Sequence, residues 1–196
     1  MLASGAGTNL QALVDDPRVG PLVALIISDR PNAGALDRAR DRGIEAAVLD
    51  PAAFPTRESH DDALVTLLRD RAIDVVVLAG YMRVVGPDIV EAFRDRMLNV
   101  HPALLPAFPG TSAIADALAY GARITGVTVH LVDEQMDHGP VVLQEAVEVR
   151  PEDSVASLEA RVHEVEHRLL PDATAALLDG RLHVDGRIVR IEGKAP

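Results

Sequence analysis

The chain has no cysteine. That excludes disulfides, thiolate nucleophiles and cysteine-ligated zinc, and it suits a reducing cytosol. Lysine is nearly missing too: Lys194 is the only one, so arginine supplies almost all the positive charge. Aromatic residues make up 3%, which leaves the core to aliphatic side chains. A net charge of −11 and a pI near 5.0 argue against a nucleic-acid surface. No apolar run reaches membrane-spanning length, and no signal-peptide pattern is present. The expectation is a cytoplasmic protein, monomer or homodimer, with small molecules as partners and neither nucleic acid nor membrane.

At 196 residues the chain reads as one domain, residues 1–196, long enough to bury most of its apolar surface. Met1-Leu2-Ala3 is too short for a central strand, so the first strand reads as clipped. It leads into Ser4-Gly5-Ala6-Gly7-Thr8-Asn9-Leu10, where Thr8 or Asn9 can cap a helix to about Asp15. Residues 22–28 and 74–80 are continuous apolar runs, read as buried parallel strands. Residues 46–49 and 97–101 are further strands. Helices are predicted over 34–42, over 57–71 with Thr56 as cap, over 87–93, and over 112–120, stopped by Gly121. Residues 125–131 alternate with period two, which predicts a strand with one polar face. Another strand begins at Pro140. Asp153 or Ser154 caps a long helix to about Leu178, bent at Pro171. Asp185-Gly186 between two alternating runs signals a hairpin. The predicted fold is α/β: a doubly wound, mostly parallel sheet with helices on both faces, mixed in its C-terminal half. Ligands in such sheets sit beyond the carboxyl ends of the strands, which would gather loops 5–8, 80–86 and 99–110 at one rim.

Three stretches can carry chemistry. Ser4–Asn9 looks like a phosphate-binding turn, with glycines for close backbone approach and a helix start offering N–H groups. It is neither the dinucleotide fingerprint, because Leu10 stands at the third glycine position, nor a Walker loop, because no Lys follows. Asn99 and His101 project from one face of a strand, and Pro102 ends it. An amide and an imidazole side by side form a candidate oxyanion site; two polar residues at a solvated strand end are the bland alternative. The loop Val132–Pro140 is rich in acids and amides, and a carboxylate from it can reach across to His101 instead of being solvated. His163-Glu164-Val165-Glu166-His167 fits H-E-x-x-H by letter. Val155, Leu158, Val162, Val165 and Leu169 make an apolar seam there, Glu164 points away from it and Glu166 sits at its border. The expectation is an amphipathic helix and no metal.

Together these residues resemble the folate-dependent formyltransferases, above all the branch that acts on glycinamide ribonucleotide in purine biosynthesis. The resemblance rests on Ser4–Leu10, Ala79-Gly80-Tyr81-Met82-Arg83, Leu98–Pro102, Leu105–Gly110, and Thr128-Val129-His130 with Asp137-His138-Gly139-Pro140, all in matching order. It covers essentially the whole chain. It implies a Rossmann-like formyltransferase fold whose N-terminal half binds the phosphate and ribonucleotide. The C-terminal half would bind folate and do the chemistry. Gly7, Thr8 and Asn9 would hold the substrate phosphate, and Glu166 would help hold that substrate. Met82, Arg83, Val84 and Val85 would line the folate pocket, joined by Asn99, and Arg57 would meet the folate tail. Asn99 and His101 would be the catalytic pair, with Asp137 beside His101. His130 would support them from behind, or be only a half-buried strand histidine. The implied reaction moves a formyl group from 10-formyltetrahydrofolate to the substrate amine by direct attack. Such attack creates a tetrahedral oxyanion, and each preorganised donor stabilises it by about 2–4 kcal/mol.

Thr111-Ser112-Ala113-Ile114 lacks the histidine many relatives carry after Pro-Gly, so no substrate contact is expected from that turn. Relatives acting on methionyl-tRNA would need an added RNA-binding domain and a basic surface, and the hydrolase relatives an N-terminal regulatory domain. An amino-sugar nucleotide formyltransferase is disfavoured by the phosphate loop. A non-catalytic nucleotide-binding module would have no use for Asn99, His101 and Asp137.

Overall fold

Leu25, Ile26, Ile27 and Ser28 are all buried, which is what a parallel strand with both faces covered requires. In the computed structural model, which describes residues 1–193, they form β1 (Leu25–Ser28). The chain divides into two compact units, Met1–Leu98 and the remainder from Asn99.

The first unit alternates α1 (Thr8–Asp15), β1, α2 (Gly34–Asp41), β2 (Glu45–Val48), α3 (Arg57–Asp70), β3 (Val76–Leu78) and α4 (Pro87–Ala92). β1 and β2 pair in parallel. The clipped first strand is present as a single rung: Leu2 bridges Ile27 and Leu78, both in parallel sense. Ala3 N–H donates to Ile27 O at 3.0 Å and Leu2 N–H to Val77 O at 2.8 Å. Ala3, Leu10, Ile26, Ala35 and Ala39 form a core cluster there. Cutting such a buried Leu or Ile to Ala costs about 2–5 kcal/mol. The run 22–28 is shorter as a strand than its apolarity suggests. Pro21 sits in a 3₁₀ turn, Gly20–Leu22, and Leu22 is left exposed. Thr56 caps α3 through a capping box with Ser59.

β4 (Met97–His101) carries the chain into the second unit, where α5 (Ala113–Tyr120), β5 (Ile124–Leu131), β6 (Val141–Glu148), α6 (Val155–Leu178), β7 (Leu182–Asp185) and β8 (Ile188–Ile191) follow. The strand order is β4-β5-β6-β8-β7. β5 and β6 are antiparallel, β6 and β8 parallel, β7 and β8 antiparallel, so the sheet is mixed as predicted. β5 corrects one expectation: it has no solvated polar face, because Thr125, Thr128 and His130 are all buried. Thr128 and His130 use their polar atoms internally instead, while the Thr125 hydroxyl is buried with no hydrogen-bond partner among the described residues. Thr128 Oγ1 donates to Ala103 O at 2.6 Å and accepts Leu105 N–H at 3.1 Å. α6 starts at a Ser154–Ser157 capping box and runs through Pro171. Its inner face also differs from the expected seam. Val155, in the first turn, is exposed, while Glu166 is buried in line with Leu158, Val162, Leu169 and Leu170. The hairpin turn is Gly186-Arg187, one residue later than Asp185-Gly186, since Asp185 and Ile188 pair. Among the described residues no helix is long and apolar enough to cross a membrane.

Candidate active site

The first unit presents a backbone-built loop. Gly7 is the N-cap of α1 with φ 75°, and no side chain among the described residues caps that helix. Thr8 and Asn9, expected as caps, are instead its first helical residues. A glycine N-cap brings no side-chain oxygen of its own to the helix-start N–H groups, an arrangement that suits an anion. Gly7 is also required sterically: a Cβ there would lie 2.7 Å from Ala35 Cα. Arg38, which the sequence did not single out, braces this loop by donating from Nε to Ala6 O at 2.8 Å. Nothing in the sequence separates it from the other arginines.

Ser4 ties the same loop to residues 80–85. Ser4 N–H donates to Gly80 O at 3.0 Å, and Ser4 Oγ accepts Met82 N–H at 2.9 Å. Met82 and Val84 are about half exposed, Arg83 is half-buried and Val85 is buried, so this stretch offers two apolar side chains outward. Burial and the Asp29 carboxylate push the Tyr81 phenol up to about 12, which keeps its proton in place. Arg57 donates from Nη2 to Val84 O at 3.0 Å and lies 3.5 Å from Asp61 Oδ2. Its guanidinium thus fastens the 82–85 stretch to α3.

The second unit presents a side-chain cluster centred on Asp137, from the loop between β5 and β6. Asp137 Oδ2 accepts Gly110 N–H at 2.8 Å and lies 3.5 Å from His101 Nδ1. Oδ1 accepts from Asn99 Nδ2 at 3.4 Å and lies 3.9 Å from His130 Nε2. One carboxylate therefore faces both Asn99 and His101, as their two-residue spacing on β4 allows. The other nitrogen of His101, Nε2, is 2.8 Å from Phe108 O, so both ring nitrogens face oxygen acceptors.

His130 sets the tautomer behind Asn99. Its Nδ1–H donates to Leu131 O at 2.7 Å, which leaves Nε2 to accept from Asn99 Nδ2 at 3.1 Å. Burial lowers the His130 pKa, which keeps the ring neutral and this pattern intact. The Asn99 amide is consequently oriented: its nitrogen faces His130 and Asp137, and its oxygen the other way.

On α6, Glu166 is 4% exposed and lies 4.0 Å from His163 Nε2. His163 and His167 stack with ring centroids 6.0 Å apart. Among the described residues no group of three or more His, Cys, Asp or Glu side chains could hold a metal ion. Sequence reasoning missed the Phe108 carbonyl and the Gly110 N–H, since backbone groups leave no letter in the sequence.

Comparison with known proteins adds a family. The family described as Formyl transferase matches residues 1–174. Phosphoribosylglycinamide formyltransferase of Bacillus subtilis (strain 168) is 35% identical over 91% of this chain and 93% of its own. The human trifunctional purine biosynthetic protein adenosine-3 is 38% identical over 94% of this chain, which spans only 18% of that protein. The crystal structure of glycinamide ribonucleotide transformylase 1 from Symbiobacterium toebii superposes with a TM-score of 0.93 at 48% identity, covering 97% of this chain and 91% of that one.

Proposed function

The chain belongs to the formyl transferase family, with its Rossmann-like α/β fold, and from that premise we propose that it transfers a formyl group from 10-formyltetrahydrofolate to the amine of glycinamide ribonucleotide. The observation that carries the reading is the Asp137 cluster: one carboxylate, only 10% exposed, facing an oriented amide, an imidazole with acceptors at both nitrogens, and a backbone N–H. That set supplies what amine attack on a formamide needs. As the nitrogen attacks the formyl carbon, the carbonyl oxygen becomes an oxyanion. His101 offers a donor at the Nδ1 edge, where the contact to Asp137 is the looser one. Asn99 offers the N–H that reaches Asp137 at only 3.4 Å. The proton leaving the amine passes through His101, or a water at Asp137, to the departing folate nitrogen.

Gly7, Thr8 and Asn9 hold the ribonucleotide phosphate on the N–H groups at the start of α1, and Glu166 contributes to holding that substrate. Met82 and Val84 pack against the pterin with Arg83 and Val85, and Arg57 holds their loop while meeting the folate tail. In this assignment the first unit carries the phosphate and folate loops, and the second carries the chemistry together with Glu166. The reading calls for no metal. It places the protein in the cytoplasm, as monomer or homodimer, with small molecules as its partners.

The test is a formyl-transfer assay with glycinamide ribonucleotide and a 10-formylfolate analogue. Formylated ribonucleotide as product is the expected result. Transfer to an amino-sugar nucleotide, with none to the ribonucleotide, would reassign the acceptor.

A further inference from the structure

Arg187 stands in the turn between β7 and β8, beyond residue 174 where the family match ends. The parallel pairing of Val141 with Ile188 puts it beside the start of β6. Its guanidinium reaches back to the loop that carries Asp137. Nη2 donates to His138 O at 2.6 Å, and Nη1 lies 3.3 Å from His138 Nε2. The same imidazole is held at its other nitrogen, where Nδ1–H donates to Asp133 Oδ2 at 2.7 Å. Asp133 Oδ1 in turn accepts Gln135 N–H at 2.9 Å. Arg187 Nη1 is also 3.4 Å from His138 Nδ1, so it faces both ring nitrogens at once.

Asp137 sits between those fixed points with φ 52°, in the left-handed region that a non-glycine residue occupies at a cost. The backbone is closely packed at Gly139, where an added Cβ would come within 1.8 Å of Leu131 O. A loop strained at Asp137 needs something to hold it, and the peptide oxygen that Arg187 grips belongs to the very next residue. We propose that Arg187 is a positioning residue, which fixes the His138 carbonyl so that the Asp137 carboxylate meets Gly110, Asn99 and His101. The inference rests on Asp137 belonging to the chemistry. A guanidinium is suited to the task because it reaches the carbonyl and the ring at once from one rigid fork.

The experiment compares wild type with Arg187→Ala and Arg187→Lys. Arg190→Ala is the control, because Arg190 is on the same hairpin and only 4.0 Å from an exposed Asp185 carboxylate. Two quantities are read: amide hydrogen exchange across residues 132–139, and formyl-transfer kinetics. Arg187→Ala should speed exchange in that segment and lower kcat by about tenfold, since a small misplacement of a reacting group is costly. KM for the ribonucleotide should stay within about twofold, as expected when only transition-state geometry suffers. Millimolar guanidinium should restore part of kcat, Arg187→Lys should fall between, and Arg190→Ala should match wild type in both readouts. Wild-type exchange in Arg187→Ala, or faster exchange with unchanged kcat, overturns the inference. If wild type transfers no formyl group at all, the functional reading fails on its own. Exchange alone then decides whether Arg187 braces the loop.

Discussion

In the proposed assignment the groups offered to a ligand around Gly7 are backbone N–H groups at a helix start, whereas around Asp137 they are side chains from β4, β5 and the β5–β6 loop, joined by the Gly110 backbone N–H. The first arrangement recognises charge and shape, and it treats a bound ground state and a transition state alike. The second can donate and accept protons, so it can favour the transition state selectively. The two regions should therefore fail in different ways when damaged, and the predictions below press on that difference.

The largest effect is expected at Asp137. Asp137→Asn keeps the size, removes the charge and turns an N–H toward one of the donors the carboxylate now accepts. It should cut kcat by about 10²–10⁴, while ribonucleotide KM changes little; steady-state kinetics with both substrates decide it. Next is Gly7→Val. The left-handed φ costs about 1–2 kcal/mol for a residue with a Cβ, and the clash with Ala35 moves the loop. Ribonucleotide KM should rise about 10- to 100-fold, with folate KM unmoved; equal rises in both KM values would remove the phosphate assignment.

The clues to these two regions were unequal in the sequence. Gly-x-Gly at a strand–helix junction announces a backbone site, and capping residues such as Thr56 and Ser154 announced their helices. Asn99 and His101 were legible from their spacing before Pro102. Asp137 was not distinguishable from Asp133 or Glu134 by chemistry alone; it was picked out by resemblance to the family. The burial of β5 was hidden because alternation cannot separate a polar face from polar side chains satisfied inside. Glu166, expected at the border of the α6 seam, lies within it, because its position four residues after Val162 puts it on the inner face of α6. Arg38 and Arg187 are two arginines among many, and only the fold reveals what each holds.

A smaller effect tests the oriented amide. The His130 pKa is lowered from 6.5 by burial in the folded state. The unfolded chain therefore binds more protons as pH falls below about 6.5, and folding stability declines there by at most about 1.4 kcal/mol per pH unit. Above that value the contribution is fully present. Urea unfolding at pH 8 and pH 5.5 should show this decline in wild type and a shallower one in His130→Asn. Identical slopes would mean that His130 does not titrate as assigned. The smallest effect is at Arg57. Arg57→Ala should raise folate KM by about 0.2–1 kcal/mol, the range of a solvated ion pair, with kcat nearly unchanged. A collapse of kcat with folate KM intact would move Arg57 from binding to the chemistry.

The most direct test sets Asp137→Asn beside Gly7→Val in single-turnover formyl transfer, with glycinamide ribonucleotide saturating for each enzyme. Saturation should restore most of the wild-type rate to Gly7→Val and none of the lost rate to Asp137→Asn. If saturating ribonucleotide rescues Asp137→Asn, or its rate falls by less than about tenfold, the division between a binding loop and a catalytic cluster is wrong.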